Sequence, residues 1–150
     1  MSDTHATNRL ADAKPGPLAG IKIIDLTTVV LGPLATQILG DLGAEVIKIE
    51  SPDGDIMRYA GPARHREMGH VFLNLNRNKR SLVLDLKHKD ATPVLLALVR
   101  QSDVLTHNMR PQAMARLRLG ASARDQPASG LLLGTWLWAG WPVRRSAGLR

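Results

Sequence analysis

Apolar positions along the chain fall in short runs separated by amphipathic stretches. IKIID at residues 21–25 is an apolar run closed by an acid, which predicts a buried strand. Residues 26–32 read as a loop. Pro33 then stands where the first turn of a helix tolerates it. Leu34, Ile38, Leu39 and Leu42 follow at helical spacing as the apolar face, and Gly43 closes the helix. EVIKIE at 45–50 alternates as a second strand and stops at the SPDG turn, 51–54. Strand, helix and strand form a βαβ unit, for which parallel strands and a right-handed crossover are expected. The next stretch, up to Arg80, carries no period and reads as irregular. SLVLDL at 81–86 predicts a third strand. Residues 89–101 predict a helix with Val94, Leu95, Leu98 and Val99 on one face and Pro93 near its start. DVLT at 103–106 predicts a fourth strand, and residues 111–119 a short basic helix. The alternation argues for an α/β fold: an incomplete Rossmann-like, mostly parallel sheet with flanking helices. Residues 1–17 have no period and read as a flexible arm.

Composition narrows the function classes. The chain has 150 residues, one domain's worth, and a net charge of +7. Cysteine is absent, so there is no disulfide framework, thiolate metal site or cysteine nucleophile. No apolar run approaches the roughly 20 residues of a membrane span, and the polar start carries no signal-peptide core. A cytoplasmic protein without membrane contact is expected. The last stretch differs in character: residues 121–150 hold Trp136, Trp138 and Trp141, the three tryptophans, with four arginines against Asp125.

Several positions suggest chemistry. Loops at strand C-termini of a βαβ unit face a ligand crevice. The first such loop, residues 26–33, lacks G-x-G-x-x-G, which argues against a dinucleotide site. Glu50 stands where a ribose-binding acid would sit; the plainer reading is a solvated strand end. NRNKRS at 76–81 is the densest basic cluster and reads either as a phosphate grip or as a solvated loop. Nucleic acid is disfavoured, because Tyr59 and Phe72 are the only aromatics before the tryptophans. His65 and His70 are five apart, which does not place both on one helical face for a metal. His107 and Asn108 end the fourth strand, where ligand contacts are favoured.

Four blocks then carry a resemblance. They are PLAGIKIIDLT at 17–27 with Gly32-Pro33, LGDLGAEVIKIE at 39–50, NRNKRSLVLDLK at 76–87, and SDVLTHNMRP at 102–111 followed by RLRLG at 116–120. In order and spacing they resemble the opening of the family III CoA-transferases, the relatives of formyl-CoA transferase, carnitine CoA-transferase and α-methylacyl-CoA racemase. The resemblance implies that residues 18–120 are an N-terminal CoA-binding segment. Val30 and Leu31 would line a loop against adenine and pantetheine. Leu84 and Lys87 would border the CoA, Asn108, Met109 and Arg110 would contact it, and Arg116 would pair with a phosphate. Ser51 stands where some members carry an arginine toward the nucleotide. It also implies an interlocked homodimer, acyl-CoA and a carboxylate acceptor as substrates, and no metal.

The implied reaction is acyl-CoA:carboxylate CoA transfer. An Asp carboxylate attacks the thioester, and CoA passes to the acceptor through anhydrides. Racemase relatives instead move a proton at the α-carbon, and a non-catalytic nucleotide-binding module is the remaining alternative. Neither the family's glycine-rich run nor its Asp motif occurs here. Residues 121–150 read as a frameshifted tail: tryptophan has a single codon, and one base later it always reads glycine. The three tryptophans then restore the G-x-G-x-x-G spacing, and the nucleophilic Asp is expected just beyond Arg150. A truncated, inactive fragment is the expectation.

Overall fold

The structure, a computed structural model, describes residues 16–117. The expected tail at 121–150, and all but residues 16 and 17 of the expected arm, lie outside the described residues. Four strands, β1 (Lys22–Leu26), β2 (Glu45–Glu50), β3 (Lys79–Val83) and β4 (Val104–His107), form one sheet in the order β3-β2-β1-β4. Every pairing is parallel, with Ile24 beside Ile47 on one flank and Leu105 on the other. The chain moves outward from β1 to β3 and then returns to the far side of β1. That reversal opens a crevice at the strand C-termini between β1 and β4.

The helices are α1 (Leu31–Asp41), α2 (His70–Leu75), α3 (Ala91–Arg100) and α4 (Pro111–Arg116). On one face of the sheet, Ile24, Leu26, Ile49 and Leu105 pack with Leu95 of α3 and Met114 of α4. On the other face Ile23, Val46 and Ala44 pack with Leu18 and Leu39. Among the described residues no helix is long and apolar enough to cross a membrane.

Four expectations are corrected. Of the apolar stripe expected of helix α1, only Leu39 packs on the sheet. Leu34, Ile38 and Leu42 face outward, while Pro33, Thr36 and Gln37 face the sheet. The reason lies beneath: at its C-terminal end this face of the sheet carries Asp25 and Lys48, and polar partners are needed there. Gly43 does close the helix, at φ 101°, with its N–H donating to Gly40 O. In α3, Val94 is exposed, and Leu96 packs on the core with Leu95, Leu98 and Val99.

The third strand starts earlier than expected, because Lys79 to Val83 pair with Val46 to Glu50. Leu84 N still donates to Glu50 O, and the next residues leave the sheet to border the crevice.

The stretch up to Arg80 is not irregular. Asp55 accepts from Met57 N and caps a 3-10 turn, Ile56–Tyr59, and α2 follows. The Arg58 guanidinium lies 3.8 Å over the Phe72 ring and joins the two. Six-residue elements are too short for a period to register.

Candidate CoA-binding cleft

The C-terminal ends of the strands enclose a cleft of about 420 Å³. Leu26 and Ile49 form its floor, Leu84 and Leu86 one wall, and Met109 and Ala113 the other. Two exposed cations, Lys87 and Arg110, stand at its border. An apolar trough with cations at its edge suits a ligand with an extended uncharged arm and a phosphate end.

The buried charged groups of the lining, Lys48, Glu50 and Asp55, are paired within the protein. Glu50 is buried and accepts from Arg58 Nε at 2.8 Å, Arg58 Nη2 at 2.7 Å, Ser81 Oγ at 2.6 Å and Asp55 N at 3.0 Å. Burial alone would raise its pKa. The bonds from Arg58, Ser81 and Asp55 and the Arg58 charge override this and lower it from 4.5 to about 2. The same pairing raises the pKa of Arg58. Glu50 is therefore neither a ribose ligand nor a solvated strand end. It anchors the 51–59 loop.

Lys48, likewise buried, donates to Thr27 O at 2.8 Å and lies 2.9 Å from Asp55 Oδ2, an ion pair not aligned as a hydrogen bond. The basic cluster at 76–81 is also absorbed by the fold. Lys79 Nζ bonds Asp25 Oδ2, Pro33 O and Asn76 Oδ1, Arg77 pairs with Asp41, and Arg80 pairs with Glu45. Both readings of that cluster, phosphate grip and solvated loop, give way to a third: it ties β3 to β1, α1 and β2. Burial lowers the Lys79 pKa against the opposing pull of Asp25.

Of the residues singled out in the sequence, Leu84, Lys87, Asn108, Met109 and Arg110 line the cleft together. Val30 and Leu31 do not. They are exposed where the β1–α1 loop enters the helix, next to Thr28, which does line it. Arg116 is exposed on α4, outside the lining. The Asn108 side chain is engaged with protein: its Oδ1 accepts from Thr28 N at 3.2 Å and its Nδ2 donates to Thr28 O at 2.9 Å. His107 is buried, neither ring nitrogen is bonded among the described residues, and burial lowers its pKa.

Sequence reasoning missed Lys48, Asp55 and the Asp25–Lys79 pair. A signal was present. Strands inside a parallel sheet are covered on both faces, so charged residues on β1 and β2 require internal partners.

The sequence profile of CoA-transferase family III matches residues 18–129. Acetyl-CoA:oxalate CoA-transferase of Acetobacter aceti is 48% identical over 107 residues, covering 70% of this chain and 27% of that protein. Human succinyl-CoA:glutarate CoA-transferase is 39% identical over 117 residues, covering 77% and 27%. Among solved structures, the hypothetical protein Rv3272 of Mycobacterium tuberculosis superposes with a TM-score of 0.76 at 36% identity, covering 87% of this chain and 36% of that one. The chain thus spans about a quarter of the length of the curated relatives it matches. With a profile match across most of its length and the parallel sheet and cleft in place, the chain belongs to CoA-transferase family III.

Proposed function

We propose that this chain supplies the CoA-binding part of an acyl-CoA:carboxylate CoA-transferase. The observation that carries the reading is the cleft: an apolar floor from Leu26 and Ile49 and apolar walls from Leu84 and Met109, with Lys87 and Arg110 at the border. The pantetheine arm lies along the apolar walls. The CoA phosphates take charge-assisted bonds from Lys87 and Arg110, with Arg116 reaching the phosphate end from outside. Val30 and Leu31 flank the adenine end. The printed names of the relatives, which pair a CoA thioester with oxalate or glutarate, support a carboxylate acceptor.

In this reading an Asp carboxylate outside the described residues attacks the thioester carbonyl and expels the CoA thiolate as a mixed anhydride forms. The acceptor carboxylate attacks the aspartyl carbonyl and displaces the donor as its free carboxylate, and the returning thiolate then takes the acceptor acyl group from this second anhydride and frees the Asp carboxylate. The residues described here bind and orient the thioester without entering the covalent steps. Two copies of the whole enzyme interlock, which accords with the exposed apolar positions of α1.

Calorimetry tests the reading. CoA is expected to bind the 150-residue chain, and the chain alone to leave an acyl-CoA unconverted. Lys87→Glu and Arg110→Glu are each expected to weaken CoA by about tenfold, since a charge-assisted bond contributes roughly that much. Equal affinity for CoA in both variants and the unaltered chain would overturn it.

A further inference from the structure

Val29 has φ 75°, in the left-handed region that a β-branched residue rarely adopts. It sits in the β1–α1 loop between Thr28, which lines the cleft, and the exposed Val30 and Leu31. Such a conformation persists only where surrounding groups over-determine it. Here the main chain is held at consecutive residues. Lys48 Nζ grips Thr27 O, the Asn108 amide takes both N–H and C=O of Thr28, and Asp55 Oδ1 faces Val29 N at 3.5 Å.

Lys48 and Asp55 are also paired with each other, so β2 and the 51–59 loop grip the turn from one side while β4 grips it from the other. Asn108 Oδ1 accepts from Thr28 N–H and one Nδ2 hydrogen donates to Thr28 C=O, so both polar groups of the amide are engaged with the loop and one Nδ2 hydrogen is left over.

We propose that Asn108 is a positioning residue that holds the strained turn at Val29, so that the loop meets CoA in one fixed shape. This rests on the CoA-binding reading above. It gives Asn108 a role other than the direct CoA contact that the resemblance implies. The amide sets the backbone of the facing loop, and affinity follows from the loop being ordered in advance.

A double-substitution cycle separates the two roles. Asn108→Ala alone is expected to weaken CoA by about tenfold. In a Val29→Gly background, where positive φ carries no steric cost, the same change is expected to weaken CoA by only about twofold. A direct amide contact would instead give the same loss in both backgrounds, and that result overturns the proposal.

Amide hydrogen exchange without CoA gives a second, ligand-free reading. Asn108→Ala should speed exchange at residues 28–31 at least about tenfold while β2 amides keep their protection. Unchanged exchange at 28–31 would overturn the clamp even where CoA binds. Should exchange rise across β2 as well, Asn108→Asp, which keeps the acceptor and loses the donor, repeats the comparison with less disturbance. It must still speed residues 28–31 selectively. Failure of the unaltered chain to bind CoA, with loop exchange responding as described, would sink the CoA reading and leave the clamp standing.

Discussion

Lys79 Nζ lies 3.0 Å from Asp25 Oδ2, joining side chains 54 positions apart, both almost wholly enclosed. Asp25 also accepts from Thr36 Oγ1 and from the N–H and hydroxyl of Thr27, so its lone pairs are filled. Lys79 donates further to Pro33 O and Asn76 Oδ1, which uses its three hydrogens. One ion pair thereby fixes β3, β1 and the first turn of α1 relative to each other.

Removing one partner strands the other charge in the interior. Lys79→Met is expected to cost about 3–5 kcal/mol of stability, the usual penalty for an uncompensated buried charge. Lys79→Arg should recover little, because a planar fork cannot reproduce three diverging bonds. Urea unfolding with an unchanged m-value checks this: a shift in midpoint worth under about 1 kcal/mol would show the pair to be dispensable.

The sheet was legible because IKIID, EVIKIE and DVLT carry their burial in their own composition, and α3 because its period is long enough to count. Helix α1 was placed correctly along the chain but turned to the wrong side. Leu39 packs on the sheet, but Leu34, Ile38 and Leu42 mark a face that is open among the described residues, whereas Thr36 and Gln37 face inward because the sheet below is charged. Local pattern cannot reveal that inversion, since it depends on Asp25 and Lys48 in other elements. The cleft residues from 84 to 110 were found through family motifs. Lys48 and Asp55 escaped because their partnership is tertiary: Asp55 folds back onto Lys48 from beyond the turn that ends β2.

The inverted helix makes an opposite forecast from the one its leucines suggest. Ile38→Lys should change stability by no more than about 0.5 kcal/mol, as at an ordinary exposed site. Thr36→Val, though nearly isosteric, should cost about 1–2 kcal/mol by leaving Asp25 short of a donor. Thermal unfolding of the two variants decides it. A large loss for Ile38→Lys would mean that the apolar stripe is covered in solution.

His107 sits beside Leu26 at the end of β4, buried and unbonded, and burial lowers its pKa from 6.5. The unfolded chain therefore binds a proton more readily as pH falls below 6.5. The stability tied to the neutral ring is complete above that value and is lost on acidification toward the folded-state pKa. His107→Leu should flatten stability across this window and be neutral or stabilising by about 1 kcal/mol at neutral pH, having removed two unmet polar atoms. Denaturation midpoints at half-unit pH steps test this, and an unaltered slope in the variant would refute it.

Glu50 acts in a lower window. Its folded pKa of about 2 lies below the ordinary 4.5, so above pH 4.5 folded and unfolded chains are both ionised there and its contribution is whole. As pH falls from 4.5 toward 2 the unfolded chain takes up a proton that the folded chain refuses, and stability drains away. Arg58 is partly open to solvent, which holds the contribution to about 2 kcal/mol rather than the full value of the shift. Glu50→Gln should remove the slope between pH 4.5 and 2 and leave the His107 slope in place. It should also loosen the 51–59 loop, since Asp55 N and Arg58 lose a charged acceptor. Because Asp55 faces both Lys48 and Val29, that loosening should reach the β1–α1 turn and weaken CoA binding even at neutral pH. A variant that loses the acid slope while its CoA affinity at pH 7 stays unchanged would separate the Glu50 anchor from the cleft.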